Sequence, residues 1–159
     1  MSARQNGFGD DLRLGKKTIV YILGLGHSGS TILEYLICQS PNALGLGEVF
    51  KLSGKWAAES RTRTCTCREK IESCELWGEL NPAQHESKTD WYGRLEHQVR
   101  RIFPGHDLWV DTSKSLKEFE IWQSRAAQEN NLEIKFIYLV RDVRSWVWSD
   151  ARVRKRKQR

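Results

Sequence analysis

The sequence predicts an α/β fold, a three-layer domain built on a central, mostly parallel sheet. Three observations predict it. Two β-branched apolar runs, 16–24 (KKTIVYILG) and 133–142 (EIKFIYLVRD), lack polar alternation, as expected of strands buried on both faces. Each leads into a stretch of helical spacing rather than a two-residue hairpin turn, and strand-then-helix is the order that parallel sheets require. A shorter run, DLWVDTSKS, repeats that order in the middle of the chain.

The elements follow in sequence. After a polar leader (1–16), the first strand meets a glycine-rich loop. From Ser30 the segment STILEYLICQS places Ile32, Leu33, Leu36 and Ile37 at helical spacing and stops at Ser40-Pro41-Asn42. A short apolar and glycine segment, 43–47, ends at Glu48, and a helix is expected from there through Trp56 and Ala58. Periodicity fades between Glu59 and Ser87, so irregular structure is expected. Helical spacing resumes over 91–103 and ends at Pro104-Gly105. The next strand ends near Asp111, and Ser115 with Glu118 forms a capping box that opens a helix over 115–128. The last strand, expected to be buried, delivers Arg141 to a final helix, 143–157.

At 159 residues the chain is one domain, 1–159, large enough to bury a core. Its proportions, 39% hydrophobic and 29% charged, exclude a disordered chain. The net charge of +6 is local: the tail 152–159 carries six basic residues, and without them 20 basic side chains face 20 acidic ones. A solvated helix end explains that tail, and no nucleic-acid partner is expected. No apolar run is long enough to span a membrane and the N-terminus has no signal-peptide core, so the expected location is cytoplasmic. Cys38, Cys65, Cys67 and Cys74 are read as reduced thiols. Cys65, Cys67, Cys74 and His85 could form a Cys₃His zinc set, but C-x-C-x₆-C is no standard finger spacing, and no metal is assigned.

In such folds ligands collect beyond the carboxyl ends of the strands. Here those ends carry His27 to Thr31, Glu48, Asp111 to Lys114, and Arg141 to Ser149. The first loop, YILGLGHSGSTILEYL (21–36), satisfies G-x-G-x-x-G with Gly24, Gly26 and Gly29, and G-x-x-x-x-G-S-T with Ser30 in place of the P-loop lysine. Its glycines permit close backbone approach, and the N–H groups opening the next helix attract an anion. The loop alone does not choose between the two patterns. A dehydrogenase wants an acid for the ribose, and Glu48 lies near the right distance, but pyrophosphate held mainly by backbone has little use for His27-Ser28 and Ser30-Thr31 around the third glycine; a kinase needs the missing lysine, so both fit imperfectly. Ser149 lies eight residues after Arg141, about 80° past two helical turns, so both reach one anion only because Arg141 precedes the helix. Alone, Arg141 is better read as an ion-pair partner of Asp142 or Asp111.

Together these motifs resemble the sulfotransferases that use 3′-phosphoadenosine 5′-phosphosulfate (PAPS), over Thr18 to Asp150. In that family a (K/R)-S-G-T-T loop binds the 5′-phosphosulfate, and His27, Ser28, Gly29, Ser30 and Thr31 occupy it here. The family's strand-end arginine and the serine eight residues later, which bind the 3′-phosphate, match Arg141 and Ser149. Gly47-Glu48 is similar to the segment supplying a catalytic glutamate in the carbohydrate and tyrosyl-protein branches. CTCREKIESCELW (65–77) resembles a Cys-x-Cys…Cys-x-x-Trp segment of some bacterial members. The resemblance implies a P-loop-like domain and sulfuryl transfer from PAPS to a hydroxyl of a small-molecule, carbohydrate or protein acceptor, with no metal required. It casts Glu48 as base, His27 as donor to the leaving group, and Lys114 as a support for the sulfonate; a dipole-stabilised carboxylate and a solvent-facing lysine are the plainer alternatives for Glu48 and Lys114. His27 departs from the family's lysine or arginine. Members also continue into a Gly-rich loop that closes over the nucleotide, so the resemblance implies a C-terminally truncated member. The remaining alternatives are a P-loop-like kinase, an NAD-type enzyme or an inactive nucleotide-binding fragment. Trp122, Trp146 and Trp148 are expected in the core.

Overall fold

The computed structural model describes residues 15–54, 57–81 and 87–157. Four strands, β1 (Lys17–Gly24), β2 (Ala43–Gly47), β3 (Leu108–Asp111) and β4 (Leu132–Leu139), form one sheet in the order β2-β3-β1-β4, with every neighbouring pair parallel. Helices fill the connections: α1 (Ser30–Ile37), α2 (Ala57–Arg61), α3 (Lys88–Ile102), α4 (Leu116–Gln128) and α5 (Val143–Lys157). The expected three-layer α/β domain is what forms.

Strand alternation divides the core in two. Ile19, Tyr21 and Trp109 pack with Trp91, Tyr92, Leu95 and Val99 of α3 and Trp122 of α4, forming the larger core. Val20, Ile22 and Val110 point the other way, against Leu33 and Ile37 of α1. Glu96 ties α3 to α4, since its carboxylate accepts from Arg100 at 3.0 Å and from Arg125 at 2.6 Å. Ser87 caps α3 by accepting the Asp90 N–H at 3.0 Å.

The structure corrects several sequence expectations. On α1, Ile32 and Leu36 are exposed while Ser30 and Glu34 are buried. The face laid on the sheet is 30, 33, 34 and 37, a regular helical stripe that includes an acid, so reading only apolar residues rotated the helix. β4 is buried only at Leu132: among the described residues it is an edge strand paired with β1, and Phe136 and Tyr138 are exposed, as is Val140 just after it. The helix expected after Glu48 is a 3-10 turn, Val49–Lys51, that ends before Ser53-Gly54; α2 begins at Ala57, and Trp56 lies outside the described residues. Neither bond of the capping box is made. Ser115 does occupy the N-cap of α4, but its side chain takes no bond from the helix N–H groups; its own N–H goes to Tyr21 Oη at 3.1 Å, and Glu118, which would have accepted it, pairs with Lys88. Trp122 is fully buried, Trp146 is half-buried and Trp148 is exposed, so only the first is a core residue. Among the described residues no helix is long and apolar enough to cross a membrane.

Candidate functional site

Two cavities lie beyond the carboxyl ends of the strands, and the glycine loop stands between the residues that line them. The loop starts where β1 and β4 touch. At Gly24, φ is 147°, and an added Cβ would lie 2.6 Å from the Leu139 carbonyl oxygen, so only glycine fits. Gly29 takes φ 97° as the N-cap of α1. Between them His27 adopts φ 64°, a left-handed conformation that costs a non-glycine residue about 1 kcal/mol or more. Ser30 is buried, whereas Thr31 is exposed.

The last helix holds this loop in place. Arg141 Nη1 donates to the His27 carbonyl at 2.6 Å, and the Trp146 indole N–H donates to the Gly26 carbonyl at 2.6 Å. Arg141 therefore pairs with neither Asp142 nor Asp111. Asp142 instead caps α5, its carboxylate accepting the Ser145 N–H at 3.1 Å. Arg141 and Ser149 line one cavity of about 250 Å³ with Trp148 and Arg152, and Ser145 is not among the lining residues. Arg152 stacks over Trp148, 5.5 Å from the ring centroid. Arg152 is exposed, as a solvated tail predicts, and its spacing of three from Ser149 and four from Trp148 sets it on the same helix face as both.

The second cavity, about 590 Å³, has Thr31 at one side and Glu48 at another, with Lys51, Cys65 and Trp77 in its wall. A bulge aims Glu48 into it. Gly45 pairs with Val110 and Gly47 with Asp111, leaving Leu46 over, and Gly47 turns with φ 67°. Glu48 is bonded by Lys114 through Oε1 and by Lys51 through Oε2. Burial alone raises the Glu48 carboxyl, but hydrogen bonds from the two lysines outweigh it and hold the group below its usual range. The dipole-capped and solvent-facing alternatives give way to an ion pair between the two predicted residues. Lys114 also sits in the left-handed region, at φ 64°.

A buried layer supports that pair. Glu34 Oε1 accepts the Gly47 N–H at 2.8 Å, and Thr112 bonds the same carboxylate. Burial pushes the Glu34 carboxyl up, against the pull of that N–H. Sequence reasoning missed Glu34, although a lone acid in an apolar helical run is itself a signal. Asp111 orients the following loop: its carboxylate accepts the Ser113 N–H at 2.8 Å, the Ser113 hydroxyl at 2.5 Å and the Trp122 indole at 2.8 Å. The thiols of Cys65, Cys67 and Cys74 also converge, all within 4.8 Å of one another. His85 lies outside the described residues.

The smaller cavity thus carries two guanidinium groups, one of them bonded to the glycine loop, and the larger holds a carboxylate bonded by two lysines. Compared with known proteins, the chain matches no family model and no curated protein. Among solved structures it is similar to a chain in the "Structure of Pnkp1/Rnl/Hen1 complex", with a TM-score of 0.45 and 14% identity. That likeness covers 87% of this chain and spans 40% of the other. At that distance it carries no activity across.

Proposed function

We propose that the chain binds PAPS and transfers its sulfuryl group to a hydroxyl acceptor, as a cytoplasmic enzyme. The observation that carries this reading is the bond from Arg141 to the His27 carbonyl, which sets the Arg141–Ser149 cavity directly against the glycine loop. Two adjoining anion sites suit a nucleotide with phosphate groups at both ends of its ribose. ATP and NAD suit it less: Ser30 supplies no lysine charge to a β/γ-phosphate, and Glu48, the acid a dinucleotide ribose would need, is engaged by two lysines.

Under this reading the residues take the following roles. Ser28, Gly29, Ser30 and Thr31 hold the 5′-phosphosulfate with loop N–H and hydroxyl donors. Arg141 and Ser149 bind the 3′-phosphate, and Arg152 adds a second positive charge. Glu48 takes the proton from the acceptor hydroxyl as its oxygen bonds to sulfur, while His27 donates a hydrogen bond to the bridging oxygen as the bond from sulfur to that oxygen breaks. Lys114 turns from Glu48 towards the sulfonate. Losing that partner restores basicity to Glu48 at the moment it accepts a proton.

Calorimetric titration with 3′,5′-adenosine bisphosphate, ATP and NADH tests the assignment. The bisphosphate is expected to bind selectively and to lose about ten- to a hundredfold in affinity in Arg141→Ala, the worth of a charged hydrogen bond. Equal binding of all three ligands, or an unchanged Arg141→Ala, would sink it.

A further inference from the structure

The segment between α2 and α3 holds a second constellation that the transfer reading does not use. Residues 62–70 are exposed at every position except Cys65, which is half-buried. Apolar burial therefore gives this segment almost nothing, yet Thr64, Cys65 and Thr66 line the Glu48 cavity. A tight hairpin shapes it. Cys65 N–H donates to the Glu69 carbonyl at 2.7 Å, Arg68 N–H returns to the Cys65 carbonyl at 2.9 Å, and Thr64 pairs with Lys70. Arg68 completes the turn in the left-handed region, at φ 76°. A 3-10 turn, Ile71–Ser73, then brings Cys74 back beneath the hairpin.

Three sulfurs meet there. Cys67 Sγ lies 3.6 Å and Cys65 Sγ 3.7 Å from Cys74 Sγ. Zinc–thiolate bonds of about 2.3 Å at tetrahedral angles set neighbouring sulfurs about 3.8 Å apart, so two edges already have the required length. Backbone donors are aimed at these sulfurs as well: the Cys67 N–H at Cys65, and the Leu76 and Trp77 N–H groups at Cys74. A neutral thiol is a weak acceptor, whereas a metal-bound thiolate carries charge that such donors stabilise and orient.

We propose that Cys65, Cys67 and Cys74 form a structural site for zinc(II), which fixes the hairpin as a wall of the Glu48 cavity. Each thiol releases its proton as its sulfur–metal bond forms, and a solvent oxygen takes the fourth position. The site does not depend on the transfer reading.

Cobalt(II) titration of the reduced full chain, followed by visible and near-ultraviolet absorption, tests it. The expected result is one cobalt per chain, with thiolate-to-cobalt charge-transfer bands that equimolar zinc bleaches. Cys67→Ser, an exposed position that removes no core packing, is expected to weaken cobalt binding about a hundredfold, while Cys38→Ser leaves it unchanged. A chain folded by circular dichroism that gives no charge-transfer bands at equimolar cobalt would overturn the site, as would bands that survive Cys67→Ser or vanish in Cys38→Ser.

Discussion

Glu48 and Asp111 are both carboxylates at strand ends, and their surroundings drive them in opposite directions. Lys114 and Lys51 hold Glu48 ionised. In Glu48→Gln, transfer is expected to fall about a hundred- to ten-thousandfold, with affinity for 3′,5′-adenosine bisphosphate unchanged; steady-state kinetics beside calorimetry would show whether both hold. Asp111 is fully buried, and burial pushes its carboxyl up to about 6 despite the bonds from Ser113 and Trp122. Between its ordinary value of 3.8 and about 6, the folded chain keeps a proton that the unfolded chain has lost. Stability therefore falls as pH rises through that window. Glu48 contributes with the opposite sign and at lower pH: its stabilisation is complete above the ordinary 4.5 and is lost as pH falls through its lowered folded value. Urea midpoints at about pH 4 and about pH 6.5 are expected to drop by more in wild type than in Asp111→Asn. Equal drops would contradict this assignment.

At the scale of elements, the junction of β1 and β4 decides whether the glycine loop forms. Gly24→Ala would drive a methyl group onto the Leu139 carbonyl and strain the backbone. A loss of about 1–3 kcal/mol in unfolding free energy is expected from the strain alone, together with loss of nucleotide binding; denaturant titration and calorimetry measure the two effects. Strands and helices were legible because buried β-branched runs and helical spacing reflect local physics. β1, β3, α3 and α4 fell close to their expected places. What the sequence concealed was which side of an element faces outward. β4 has the composition of a central strand yet lies at the sheet edge, because strand order is set by tertiary pairing rather than by composition. α1 buries Glu34, because the Gly47 N–H and Thr112 need its carboxylate more than the core needs a leucine.

Across the whole molecule, the proposed activity depends on parts far apart in sequence. His27 and Arg141 are 114 residues apart and touch; Glu48 and Lys114 are 66 apart and are bonded. The sequence named all four but could not show that they pair, since pairing follows from the strand order β2-β3-β1-β4. Arg152 is exposed, as a solvated tail predicts, yet it lines the cavity with Ser149, which composition alone could not show. In Arg152→Ala, bisphosphate affinity is expected to fall about tenfold, and affinity for adenosine 5′-monophosphate to stay constant, as calorimetry on both ligands would reveal. The most direct measurement is the affinity of the wild-type chain for 3′,5′-adenosine bisphosphate against adenosine 5′-monophosphate, two ligands that differ only in the 3′-phosphate. A preference for the bisphosphate of at least about tenfold is predicted, from charged hydrogen bonds by Arg141 and Arg152. Equal affinities would mean that the Arg141–Ser149 cavity binds no phosphate, and would contradict the account.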